Sequence, residues 1–172
     1  MSNSDYILSV DINNLSGKEV PENNIIKEWL YCALSFVNHN LIENNNNFEL
    51  SLRVVDEIEM RALNHKFRNK NLVTNVLSFP SKMNESFDCP SGYPYHLGDI
   101  VICASILNKE AQTQMKTIKA HWCHLAVHGF LHLFDYDHLH DDEATRMEDL
   151  EREICTKPVS YTHLTLPTIY SV

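Results

Sequence analysis

The chain has 172 residues, the size of one domain that can bury a substantial core. Hydrophobic residues make up 44% of it and charged residues 22%, the balance of an ordinary globular protein. No apolar run is long enough to span a membrane, and the N-terminus lacks the basic and apolar regions of a secretory signal. We therefore expect a cytoplasmic protein without a membrane partner. The net charge of −9 excludes nucleic-acid binding by bulk attraction, so such binding would require a local basic patch.

The cysteines do not form a recognisable framework. Their number is odd and no two have C-x-x-C spacing, which argues against both a disulfide scaffold and a cysteine zinc site. We expect reduced, mostly buried thiols. The five positions are Cys32, Cys89, Cys103, Cys123 and Cys155.

The first half of the chain predicts alternating strands and helices. Residues 6–12 alternate partly and predict a strand, and residues 22–39 carry an apolar stripe at helical spacing. Residues 48–56 alternate apolar and polar side chains, which predicts a second strand. Asp56 then resembles a helix N-cap, with Glu59 at the capping-box position, so a helix is expected from there to about residue 67.

The middle of the chain predicts a strand, a long loop and another strand. Residues 75–79 form a short apolar segment that Pro80 should stop, and residues 97–103 predict the next strand. Between them, residues 81–96 contain two prolines and a glycine and are interpreted as a loop.

The last third of the domain is predicted to be helical. One helix is expected at residues 105–115, a strongly hydrophobic one at 118–134, and a third from just after Asp142 to about residue 155. Residues 158–172 are different in kind, because they hold no charged residue, two prolines and many threonines. They could be a disordered tail, an edge strand or foreign sequence. We therefore assign the domain to residues 1–156 and no function to residues 157–172.

Histidines cluster in the hydrophobic helix and just after it. Six of the ten fall between positions 121 and 140. Steps of three and four residues keep His121, His124, His128 and His132 on one helix face, and His128 and His132 can direct two imidazoles at one point. His121 and His140 are interpreted as solvent-facing or structural.

A third imidazole is available if the chain turns back after the helix. His138 completes an H-x-x-x-H-x-x-x-x-x-H spacing with His128 and His132, which is the ligand spacing of metzincin zinc sites. Asp135 stands where that pattern has its turn-forming glycine, and Asp tolerates the left-handed conformation required there.

Three neutral imidazoles predict one Zn²⁺ with an open fourth position. That position would hold a zinc-bound water whose pKa the metal lowers, which is typical of a catalytic rather than a structural site. Imidazole also suits copper, iron and nickel. His124, Asp135 and Asp137 are candidates to orient the zinc ligands through hydrogen bonds on the side away from the metal.

The residues around the histidines distinguish peptide hydrolysis from phosphodiester hydrolysis. Peptidases of this spacing carry a glutamate directly after the first ligand as general base, whereas this chain has Gly129. Residues 61–70 contain four basic side chains and no acid, and Arg68 can clamp a phosphate with its guanidinium. The acids of residues 137–153 are interpreted as a helix N-terminus and a solvated helix face.

Three segments resemble one family, the bacterial YbeY endoribonucleases. They are HLAVHGFLHLFDYDHLHDDEATRMEDLE at 124–151, FRNKNLVTNVLSFP at 67–80 and LGDIVIC at 97–103. These blocks occur in the family's order, and the resemblance covers roughly residues 5–155. The chain departs from the family at Asp135, where glycine is usual, and after residues 154–155, where the family's helix normally continues into a glycine-containing turn.

The resemblance implies a single α+β domain, with a small mixed sheet of about four strands, about five helices and the zinc helix packed on the sheet. It implies a single-strand-specific, metal-dependent endoribonuclease that acts in maturation of rRNA 3′ ends and in ribosome quality control. Its partners would be single-stranded rRNA and the ribosome or its small subunit. His128, His132 and His138 would be the zinc ligands, and Arg68 the residue that stabilises the RNA phosphate.

Two other functions stay open. A non-catalytic ribosome-assembly factor could use the zinc structurally, and a zinc metallopeptidase is disfavoured by Gly129. The general base and the attacking group, an RNA 2′-hydroxyl or water, are not identified.

Overall fold

Four strands form one mixed β-sheet. The computed structural model describes residues 6–37, 46–81, 92–134 and 141–156, with side chains from residue 145 onward in the last range. The strands are β1 (Ile7–Asn14), β2 (Asn47–Val55), β3 (Val76–Pro80) and β4 (Tyr95–Cys103). Their spatial order is β1-β2-β4-β3, where β1, β2 and β4 run parallel and β3 pairs antiparallel with β4. Pro80, which has no N–H to donate, lies at the end of an edge strand, where it is tolerated.

Five helices are described, and they cover the two faces of the sheet unequally. Side chains of the first, third, fourth and fifth helices form the main core with one face, because Leu50 and Leu52 of β2 and Ile100 of β4 point that way. Val101 points to the opposite face and joins a smaller core with Met60 of the second helix. The helices are α1 (Asn23–Phe36), α2 (Glu57–Arg68), α3 (Ala104–Thr113), α4 (Ile118–His132) and α5 (Asp141–Thr156).

The predicted α+β class is confirmed, with four strands and five helices among the described residues. The predicted N-cap is confirmed as well, since the Asp56 carboxylate accepts a hydrogen bond of 2.8 Å from the Glu59 backbone N–H. The predicted loop at 81–96 was wrong at its end. Tyr95 and His96 belong to β4, because they pair in register with Phe48 and Glu49 of β2.

Two predicted segments lie outside the described residues, namely residues 82–91 of that loop and the unusual segment 157–172. The interpretation of His140 also falls outside them. Within the described ranges, no helix is both long and apolar enough to cross a membrane.

Candidate metal centre and basic cleft

Helix α4 arranges four histidines in one row. The ring centroids are 5.9 Å apart for His121 and His124, 6.0 Å for His124 and His128, and 4.6 Å for His128 and His132. His121 is buried at the start of the row, 3.7 Å from Glu110, which agrees with the structural alternative for this residue and not with the solvent-facing one. The other three are partly exposed. The row therefore begins in the core, and its next three imidazoles reach the surface in part.

Gly129 sets how closely α4 approaches the sheet. Its carbonyl accepts a hydrogen bond of 2.8 Å from the Ser78 hydroxyl of β3. A Cβ at this position would lie 3.0 Å from Ile100 and 3.1 Å from Val76. Position 129 thus faces the sheet rather than a cleft. The structure thus gives a steric reason why position 129 carries no glutamate. A peptidase-type glutamate could not be accommodated there without moving α4.

The imidazoles of His128 and His132 converge. Their Nε2 atoms lie 3.0 Å apart, although both belong to the same helix. Two nitrogen ligands of a tetrahedral zinc ion, each about 2.05 Å from the metal, would be separated by roughly 3.3 Å. The pair therefore fits two ligands of one metal ion after a shift of a few tenths of an ångström.

Glu151 of α5 is a site residue that the sequence analysis missed. Its carboxylate is 2% exposed and lies behind the histidine row. One oxygen is 2.6 Å from His128 Nδ1 and the other is 3.2 Å from His124 Nδ1. The assignment of this glutamate to a solvated helix face was therefore wrong. Burial lowers the pKa of His124, while the negative charge of Glu151 opposes that shift.

Donor atoms of His124, His128 and Glu151 lie within 4.8 Å of one another, so this group could hold a metal ion. His128 belongs to both candidate arrangements, through Nδ1 on the Glu151 side and through Nε2 on the His132 side. The 2.6 Å separation on the Glu151 side is that of a charge-assisted hydrogen bond. His138, Asp135 and Asp137 lie outside the described residues, so their expected roles stay predictions.

A cleft of ≈670 Å³ opens beside the convergent histidines. Arg68 and Lys70 line it together with His128 and His132. Arg68 ends α2 and donates a hydrogen bond of 2.9 Å to the Ser78 carbonyl, and its guanidinium carbon lies 5.9 Å from the centre of the Phe79 ring. The predicted phosphate-binding arginine and two of the predicted metal ligands thus share one cavity.

The segment that follows Arg68 is held by Asn64, which the sequence analysis also missed. Asn64 is 3% exposed and donates a hydrogen bond of 2.8 Å to the Leu72 carbonyl. Asn69 ends α2 in the left-handed conformation at φ 57°, and the Lys70 N–H returns to the Asn64 carbonyl. This C-terminal turn directs the chain along the cleft, so Lys70 joins Arg68 on its wall.

Comparison with known proteins identifies the family. The family model described as "Endoribonuclease YbeY" matches residues 11–158. The chain is 42% identical over 149 residues to an Endoribonuclease YbeY of Pseudomonas putida, covering 86% of this chain and 87% of that protein. It is 43% identical over 137 residues to one of Idiomarina loihiensis, covering 79% and 78%.

The fold has a solved counterpart. The solution structure of a Thermotoga maritima protein matches with a TM-score of 0.52, covering 85% of this chain and 86% of that one at 24% identity. This likeness concerns the fold alone. The extent and identity of the sequence matches carry the assignment, and the chain belongs to the YbeY endoribonuclease family.

Proposed function

We propose that the protein is a zinc-dependent endoribonuclease that cleaves single-stranded RNA in the cleft between α4 and the end of α2. The observation that carries this proposal is the shared cavity, which brings Arg68 and Lys70 beside His128 and His132. In a chain of net charge −9, two cations at the mouth of a histidine pair form the local basic patch that an RNA phosphate requires.

We propose that His128, His132 and His138 hold the metal. In this arrangement His128 Nε2 would be the atom that holds the metal, while Nδ1–H donates to Glu151; this bond would fix the tautomer and raise the basicity of the ligand. The alternative group of His124, His128 and Glu151 fits less well. Its His128–Glu151 pair is 2.6 Å apart, which is further below the ligand separation of about 3.2 Å than the 3.0 Å between His128 and His132. When bound, zinc supplies a Lewis acid that polarises a phosphoryl oxygen and acidifies water.

The cationic wall binds and orients the substrate. Arg68 is held in place by its bond to the Ser78 carbonyl and has further N–H groups for a phosphate oxygen. It is therefore preorganised to stabilise the negative charge that develops on phosphorus. Among the described residues that line the cleft none is a carboxylate, an arrangement that favours a polyanionic substrate over a peptide that needs an acidic base.

The biological setting is proposed from the family resemblance. We infer a catalytic domain at residues 1–156 that acts in the cytoplasm on rRNA 3′ ends, at the ribosome or its small subunit, in maturation and quality control. Membership in the YbeY endoribonuclease family supports this assignment.

The test is cleavage of a single-stranded RNA by nuclease-free preparations of matched variants. We expect Arg68→Ala to lower the rate by about 100-fold and His132→Ala to abolish cleavage. Arg61→Ala is the control, since Arg61 lies on the same helix but lines a different cavity, and it should cleave within about twofold of wild type. Equal cleavage by all four proteins would refute the proposal.

The assembly-factor alternative makes a different prediction for the same variants. It requires that purified wild-type protein cleave no RNA while it binds ribosomal subunits. Arg68→Ala would then weaken that binding, since the arginine would serve only as a phosphate contact. Cleavage that depends on both Arg68 and His132 excludes this alternative.

A further inference from the structure

Two cysteines from different helices meet beside the metal centre. Cys123 of α4 and Cys155 of α5 are 32 positions apart in sequence, yet the Cys123 thiol donates a hydrogen bond of 2.8 Å to the Cys155 sulfur. Cys123 is 3% exposed, whereas Cys155 is half-buried. Neither is in a disulfide, and the function proposed above uses neither.

The sulfur separation identifies the chemistry that the pair suits. A zinc ion bound by two thiolates at about 2.3 Å would hold the sulfurs roughly 3.8 Å apart, so 2.8 Å is too short for a bridging metal. A disulfide bond is about 2.05 Å long, and less than about 1 Å of further approach would form it. Both residues contact the main core, which holds the two sulfurs beside each other.

We propose that Cys123 and Cys155 form a reversible disulfide when they meet an oxidising low-molecular-weight disulfide. The half-buried Cys155 is the thiol that such a reagent can reach first. The buried Cys123 is placed to resolve the mixed disulfide, because its sulfur already contacts that of Cys155. This inference does not depend on the proposed function, since it concerns thiols outside the cleft lining.

The exchange balances without any further reactant. The Cys155 thiolate attacks one sulfur of the reagent, which forms a mixed disulfide and releases one thiol. The Cys123 thiolate then attacks Cys155 Sγ, which forms the protein disulfide and releases the second thiol. The two protons lost by the cysteines end on the two released thiols. The hydrogen bond with Cys155 and burial raise the pKa of Cys123, consistent with its acting second rather than first.

The disulfide would join α4 to α5 close to the histidine row and Glu151. Cys155 follows Glu151 by one helical turn, and Cys123 directly precedes His124. Closure would therefore fix the helix that carries Glu151 against the helix that carries the histidine row. Since a cross-link over 32 positions restricts the unfolded chain, the oxidised protein should melt about 5 °C or more above the reduced protein.

The test is thiol mapping of the full chain in graded mixtures of reduced and oxidised glutathione. Remaining thiols are alkylated, and peptides are identified by mass spectrometry. We expect two of the five thiols to become protected, in one linked pair of Cys123 and Cys155 peptides about 2 Da lighter than the two thiol peptides. Dithiothreitol should reverse the link. Melting of both forms at equal metal content gives the stability readout.

Matched variants distinguish this pair from other thiols. Cys32→Ser should keep the link, because Cys32 is a half-buried cysteine on α1 outside the pair. Cys155→Ser should leave Cys123 open to alkylation under denaturing conditions at every glutathione ratio. The proposal is overturned if all five thiols stay reduced in wild type at every ratio, if Cys123 links to Cys32 instead, or if a stable glutathione adduct persists on Cys155 beside a free Cys123.

Discussion

Glu151 ties the histidine row to a second helix. Each carboxylate oxygen meets the Nδ1 atom of a different histidine, His128 on one side and His124 on the other. A hydrogen bond to Nδ1 leaves the Nε2 lone pair of His128 directed at the point where His132 also converges. Under the proposed function, Glu151 would therefore position His128 as a metal ligand rather than touch the substrate.

Replacement of this carboxylate should weaken the metal centre. Glu151→Gln preserves the shape but removes the charge that supports His128, and we expect metal affinity to fall by about 10- to 100-fold. Glu153→Gln is the matched control, because Glu153 is exposed on the same helix. Competition with a metal-binding dye measures both. An unchanged affinity in the Glu151 variant would mean that His128 needs no support from α5.

Some residues of the candidate site could be predicted from the sequence and others could not. The alignment of His128 with His132 follows from helical periodicity alone, so it could be predicted. Glu151 lies 23 positions from His128 on a helix rich in exposed acids, and only the packing of α5 on α4 distinguishes it from them. Asn64 was hidden for the same reason, since its partner is the backbone of a loop.

At the scale of secondary structure, the close packing of α4 on the sheet depends on the absence of a side chain at Gly129. In Gly129→Ala, the gain in helix propensity is at most about 1 kcal/mol, whereas overpacking of a core contact costs about 1–3 kcal/mol. With Ile100 at 3.0 Å, the clash should prevail and lower the free energy of unfolding by about 1 kcal/mol.

Urea unfolding measures this difference, with Lys119→Ala as the control at an exposed position of the same helix. A Gly129→Ala protein more stable than wild type would show that the sheet yields to the added methyl group.

The turn after α2 depends on Asn64. Asn64→Ala removes the donor to the Leu72 carbonyl, and we expect a loss of about 1 kcal/mol together with weaker RNA binding, since Lys70 lies in the released segment. Asn71→Ala, at an exposed site in the same segment, should change neither quantity. RNA affinity by fluorescence anisotropy and stability by urea unfolding check both parts. Unaltered RNA binding in Asn64→Ala would exclude a role for this turn.

Element boundaries were predictable where the pattern was local. The helical stripes and the Asp56 cap located α1 and α2 from sequence because both signals depend on neighbours within a few positions. The start of β4 was not predictable, because residues 95 and 96 become strand only through parallel pairing with β2, almost fifty positions earlier. Pairing partners at such a distance leave no local pattern.

At the scale of the whole molecule, the charge distribution opposes nonspecific RNA binding. The net charge is −9, and the described cations of the cleft are Arg68 and Lys70. Affinity for single-stranded RNA should therefore depend only modestly on salt, and Arg68→Ala should reduce the slope of log K against log salt by about 0.7. Arg61→Ala should leave the slope unchanged. A steep slope unaffected by Arg68→Ala would locate the RNA on another surface.

The proposed function depends on one metal ion in the α4 histidine site that supports RNA cleavage in the adjoining cleft. Its most direct test is stoichiometric reconstitution, in which protein stripped with a chelator receives zinc in steps while bound metal and the rate of single-stranded RNA cleavage are measured together. We expect the stripped protein to be inactive and the rate to rise linearly to a plateau at about one zinc per chain. Full activity in the metal-free protein, or no activity at any zinc content, would refute the proposed function.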